Sequence, residues 1–191
     1  LCMDANFNLN EDVLDALRDS YEAEVSPVAK EVFAELLENA KIAHECQMPL
    51  CQDTGVAVIF VEIGEDIEIV GGRLYDAINV GVREGYKKGF LRKSMVKDPL
   101  NRINTGDNTP AIIHTEFTRE SHLKITFMAK GGGCENMSRL AMLTPADGKA
   151  GVINFVVETV KIAKANPCPP IIVGVGIGGT FDYAALLAKK S

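Results

Sequence analysis

An α+β fold, with helices packed around a small mixed or mostly antiparallel sheet, follows from two features of this sequence. Amphipathic stretches of helical period and short apolar runs of strand type both occur, and they do not alternate as regular βαβ units. At 191 residues the chain is long enough for one substantial core, and a single domain over 1–191 is expected.

The elements follow in order. Residues 10–20 read as a helix, with Asn10 as its N-cap and Val13, Leu14 and Leu17 as its apolar stripe. Ser26-Pro27 opens the next helix, a capping residue followed by proline at the first helical position. It runs to about His44, with Val28, Val32, Leu36 and Ile42 turned toward a core. The run from Val56 to Val61 predicts a buried strand over 56–63, closed by the charged turn Gly64-Glu65-Asp66. Gly71-Gly72 introduces an amphipathic helix through Tyr86 that ends near Gly89. Asp98 to Asn108 is irregular and polar, which suits a loop facing substrate. Strands at 111–117 and 123–129, joined by a short polar link, are expected to form an antiparallel hairpin. A long helix from Lys149 to about Lys164, a strand at 171–175 and a terminal helix from Asp182 complete the chain.

Composition excludes several function classes. Five cysteines, an odd number at irregular spacing and without a C-x-x-C pair, argue against a disulfide framework and a zinc ribbon. The net charge of −6 gives no support for nucleic-acid binding. No run approaches the roughly 20 apolar residues of a membrane span. No signal-peptide pattern opens the sequence, so a cytoplasmic location without membrane contact is expected. Basic residues are nevertheless gathered locally, with Arg92, Lys93 and Lys97 ahead of Arg102, and Lys130 before a glycine run.

Three segments carry residues suited to chemistry. Pro49-Leu50-Cys51-Gln52-Asp53-Thr54-Gly55 gathers a soft metal ligand, an amide, a carboxylate and a hydroxyl on a turn beside a buried strand. A buried cysteine near a turn, with Asp53 and Thr54 capping backbone groups, is the duller reading of the same residues. Lys130-Gly131-Gly132-Gly133-Cys134-Glu135 follows a strand and opens a helix, an arrangement that offers amides to an anion. It is neither a P-loop nor the dinucleotide glycine fingerprint, and three glycines also simply permit a flexible turn. Cys168 sits between prolines in Asn166-Pro167-Cys168-Pro169-Pro170, ahead of Gly176-Ile177-Gly178-Gly179-Thr180. His44 at a helix end, His114 in a strand and His122 in a turn have no metal-ligand partner at recognisable spacing.

Taken together, Gln47 to Gly55, Leu91 to Ser94, Asn104 to Ala111, Lys130 to Arg139 and Pro167 to Thr180 resemble one family, in order and nearly end to end. It is the class I (iron–sulfur) fumarate hydratase and L(+)-tartrate dehydratase family, specifically its α subunit or N-terminal catalytic domain. The resemblance implies a 4Fe–4S cluster on three cysteines, with one iron open to substrate. Cys51 and Cys168 match two ligand positions, and the third is expected beyond Ser191. The sequence begins at Leu1 without an initiator Met, and the domain is expected to be incomplete at both ends. Cys134 stands where the family usually has Ser, while Cys2 and Cys46 lie outside the ligand motifs.

The implied activity is reversible hydration of fumarate to L-malate, with the open iron as Lewis acid for the departing hydroxyl. Asp53 is then the candidate catalytic residue for proton transfer, and Gln52, Arg92, Gly132 and Gly133 are candidate contacts to substrate carboxylates. A dicarboxylate substrate, a β subunit or C-terminal domain of the same enzyme and an oligomeric assembly come with the family. L(+)-tartrate dehydratase is the alternative substrate reading. A cluster-free binding or assembly module is the alternative of a different class.

Overall fold

A computed structural model describes residues 1–191. The chain divides into two compact units, Leu1–Lys130 and Gly131–Ser191. The first contains α1 (Asp4–Phe7), α2 (Glu11–Ala23), α3 (Pro27–Cys46), β1 (Val56–Gly64), α4 (Leu74–Lys88), β2 (Ile112–Thr118) and β3 (Leu123–Lys130). The second contains α5 (Gly132–Glu135), a 3-10 turn (Pro145–Asp147), α6 (Gly148–Ala163) and α7 (Phe181–Lys190).

The helix boundaries follow the sequence signals closely. Asn10 and Ser26 occupy the N-cap positions of α2 and α3; the Asn10 side chain makes no capping bond, whereas the Ser26 hydroxyl accepts from the Ala29 amide at 3.5 Å. Gly89 caps α4, and α6 is preceded by a capping box in which Thr144 and Asp147 exchange hydrogen bonds. The short α1 was not anticipated, since four residues are too few for a periodic pattern to register.

The sheet is mixed, and its order is β2-β1-β3. β1 pairs parallel with β2 and antiparallel with β3. The expected hairpin between the last two strands is therefore corrected: they are consecutive in sequence, but β1 lies between them. β1 is apolar almost throughout, and the centre is where a strand loses water from both faces. β2 and β3 carry Glu, Thr and Lys among their apolar residues and take the edges. Ala57, Ile59, Val61 and Ile63 of β1 meet Ile78, Val82 and Tyr86 of α4, together with Phe7 and Leu91, in one buried cluster.

Two further expectations are corrected. On α3, Val28, Val32 and Ile42 are exposed, whereas Ala40 and Ala43 are buried and Leu36 is half-buried. The stripe that packs is narrower than the helix's apolar surface, which the small Ala40 and Ala43 let neighbours approach closely. Residues 171–175 form no ladder, and residues 131–191 contain no strand. The run instead lies along α7, with Gly174 and Gly176 against the carbonyls of Ala188 and Ala184.

Candidate active site

The Cys51–Gly55 turn is fixed from both of its ends. Upstream, the Leu50 amide donates to the Asn6 carbonyl at 2.8 Å, and Asn39 Nδ2 donates to the Leu50 carbonyl at 3.0 Å. Downstream, Thr54 is buried and its hydroxyl donates to the Arg92 carbonyl at 2.9 Å. The Gly55 amide donates to Asp53 Oδ1 at 3.0 Å, closing a local turn around the carboxylate. Cys51, Gln52 and Asp53 are exposed between these anchors. The sequence thus builds a short polar platform at the mouth of β1, held by backbone bonds on each side.

Gly55 is required at that mouth for two reasons. Its φ is +67°, and a Cβ would lie 2.6 Å from the Lys130 carbonyl carbon, where β3 pairs with the start of β1. That packing brings Lys130, the last residue of β3, beside the Asp53 turn. Arg92 is brought to the same mouth by the Thr54 bond, and its side chain is exposed. Of the expected site residues, Cys51, Gln52, Asp53 and Arg92 therefore share one end of the sheet.

Beneath the platform lies a polar network that sequence reasoning did not identify. Asn108 is fully buried, with φ +61°. Its Oδ1 accepts from the Ser94 and Met95 amides at 2.7 and 3.0 Å, and its Nδ2 donates to the Gly55 carbonyl at 3.2 Å. The Tyr86 hydroxyl donates to the Thr54 carbonyl at 2.9 Å and reaches the Gly55 carbonyl at 3.2 Å. Burial, and then the charges of Cys2 and Asp53, push the Tyr86 phenol well above its ordinary range, so it stays a donor. The Asn104–Ala111 motif that contributes to the family resemblance contains Asn108, but nothing in its local spacing marks that residue.

In the second unit, the glycine turn and the Cys168 loop meet. A Cβ on Gly133 would lie 2.5 Å from the Asn166 carbonyl oxygen, and the Cys134 thiol donates to the Pro167 carbonyl at 3.3 Å. The glycine turn thus meets the segment just before Cys168, which is exposed and held at φ +58°. The helix expected after the glycines is a single turn, Gly132–Glu135, so it offers only a short dipole.

Nowhere do three or more His, Cys, Asp or Glu side chains converge on a common point that would hold a metal ion. The chemistry of the cysteines nevertheless sorts them. Cys51 and Cys168 are exposed thiols on fixed loops and suit thiolate donation to a cluster. Cys134 spends its proton on a carbonyl, and burial pushes the half-buried Cys2 thiol up, which disfavours its thiolate. Cys46 is exposed at the last position of α3.

Similarity to known proteins agrees with these motifs. The family described as fumarate hydratase (Fumerase) matches residues 1–191. A Methanocaldococcus jannaschii protein provisionally named L(+)-tartrate dehydratase subunit alpha is 44% identical over 100% of this chain and 69% of its own length. The L(+)-tartrate dehydratase subunit alpha of Escherichia coli K12 is 32% identical over 95% of this chain and 60% of its own length. The chain thus spans about two thirds of the curated relatives it matches. It belongs to the class I fumarate hydratase and tartrate dehydratase α-subunit family of hydro-lyases.

Proposed function

We propose that this chain supplies the α-subunit half of an active site that removes water from a hydroxy-dicarboxylate, with L(+)-tartrate favoured over the fumarate and malate pair. The observation that carries the reading is the joining of the Asp53 turn to the Arg92 segment through the Thr54 hydroxyl, 2.9 Å from the Arg92 carbonyl. It ties the Arg92 backbone to the turn that carries Asp53, and a cation near a carboxylate suits proton transfer beside a bound carboxylate. The names of the relatives support tartrate as substrate and a β subunit as partner.

Dehydration breaks a C–H bond next to one carboxylate and a C–O bond on the neighbouring carbon. From tartrate it leaves an enol that tautomerises to 2-oxosuccinate. Arg92 is assigned to a substrate carboxylate, and Gln52 donates a further hydrogen bond to it. Gly132 and Gly133 offer backbone amides to a carboxylate. Asp53 carries the proton, its orientation held by the Gly55 amide. Cys51 and Cys168 would hold a 4Fe–4S cluster, completed by a further thiolate, which when bound supplies a Lewis-acidic iron for the departing hydroxyl.

The test is turnover by the full-length subunit, reconstituted anaerobically with iron, sulfide and its β partner. Formation of 2-oxosuccinate from L(+)-tartrate at a higher kcat/KM than fumarate hydration is expected. The opposite ranking restores fumarate as the substrate. Turnover of neither by protein that carries its cluster overturns the hydro-lyase reading.

A further inference from the structure

The residue that couples the two halves of this site is itself out of reach of substrate. Asn108 has no exposed surface, yet its one amide touches both segments that carry the proposed chemistry. Its oxygen takes the Ser94 and Met95 amides, which follow Arg92 in the chain. Its nitrogen donates to the carbonyl of Gly55, two residues after Asp53. Only an asparagine or glutamine side chain offers a paired acceptor and two donors on one rigid plane. The backbone conformation points the same way, because asparagine tolerates φ +61° better than other non-glycine residues. Tyr86 adds a second bond from below, to the Thr54 carbonyl at 2.9 Å. With these bonds made, the carbonyls of Thr54 and Gly55 and the amides of Ser94 and Met95 are all satisfied without water.

We propose that Asn108, braced by Tyr86, is a positioning residue: it sets the Asp53 turn against the Arg92 segment, so that a proton-transfer carboxylate and a carboxylate-binding cation keep one fixed separation. This rests on the functional reading of Asp53 and Arg92 above. It assigns Asn108 no contact with substrate.

The experiment compares the reconstituted holoenzyme with Asn108→Ala, Asp53→Asn and the double variant, alongside hydrogen–deuterium exchange over residues 51–56 and 92–96. Asn108→Ala is expected to lower kcat about 10- to 100-fold with little change in KM. On an Asp53→Asn background it should cost almost nothing more, because the group it positions is already disabled. Exchange in both peptides should accelerate at least about tenfold, while the β1–β3 ladder stays protected. Additive losses in the double variant, or unchanged exchange over residues 51–56, would overturn the proposal. Should Asn108→Ala fail to fold, Tyr86→Phe removes only the phenol hydroxyl and its bonds to the Thr54 and Gly55 carbonyls, and is read by the same two criteria. A wild-type enzyme inactive on both tartrate and fumarate would refute the functional reading alone, and exchange would still decide the clamp.

Discussion

At the scale of single residues, the assignment of Asp53 and of the cysteines is open to direct test. Asp53→Asn keeps the size and the local turn but removes the proton-carrying carboxylate. It should leave the cluster absorbance intact and slow turnover by about 10²-fold or more, measured as kcat on the preferred substrate. Near-normal turnover would reduce Asp53 to the turn-closing role that its bond from the Gly55 amide already shows. Cys51→Ser and Cys168→Ser should each abolish the visible absorbance of the reconstituted cluster, whereas Cys46→Ser should not. A colourless Cys46→Ser protein would reverse that ligand assignment. The residue scale is also where sequence reading was incomplete. Cys51 and Asp53 stand out by type and spacing, but Asn108 is one polar residue in a polar loop. Its importance lies in burial and in partners 13 to 53 positions away, which no local pattern encodes. His44 illustrates the converse. Its Nδ1 lies 2.7 Å from Asn8 Oδ1, tying the end of α3 to the end of α1, and it needs no catalytic role.

At the scale of elements, helices were legible and strand pairing was not. Helix bonds are local, so caps such as Ser26 and Gly89 mark boundaries without reference to the rest of the chain. A strand's partners can lie anywhere, and the shortest link does not decide them. β1 displaced β3 as the neighbour of β2, since the most apolar strand gains most from the centre. The start of β1 is also the element on which the site depends. Gly55→Ala meets both a left-handed backbone and the Lys130 main chain at 2.6–2.8 Å, and should destabilise the protein by about 2–4 kcal/mol. Gly106→Ala is the control, because φ is +82° there but nothing lies within 4 Å, and about 1 kcal/mol is expected. Urea unfolding midpoints with unchanged slopes would measure both. Equal costs would mean that the close approach of β3 to Gly55 contributes nothing.

At the scale of the whole molecule, acid stability carries the signature of fixed carboxylates. The Asp107 carboxylate is held far below its ordinary range by the Thr109 hydroxyl first, then by Arg83 at 2.9 Å and the Thr109 amide. Hydrogen bonds from Thr144 and Thr180 lower Asp147 and Asp182 in the same direction. A depressed carboxylate stabilises the fold above its unfolded pKa of about 3.9 and loses that contribution as pH falls through the folded value. Asp107→Asn should therefore be less stable than wild type at pH 7, and the difference should shrink as pH drops below about 4. A difference independent of pH would mean that shape, not charge, is what the Asp107 contacts require.

What the sequence determined by itself was the family, the α+β class and the longer helices. These rest on local periodicity, capping and motifs whose information is contained in short stretches. Only the tertiary structure decided the order of the sheet, the unpaired run at 171–175 and the bond from the Thr54 hydroxyl to the Arg92 backbone. Each of those depends on which distant segment satisfies a buried polar group or covers an apolar face. That competition is settled by the folded chain as a whole, and no window of sequence contains it.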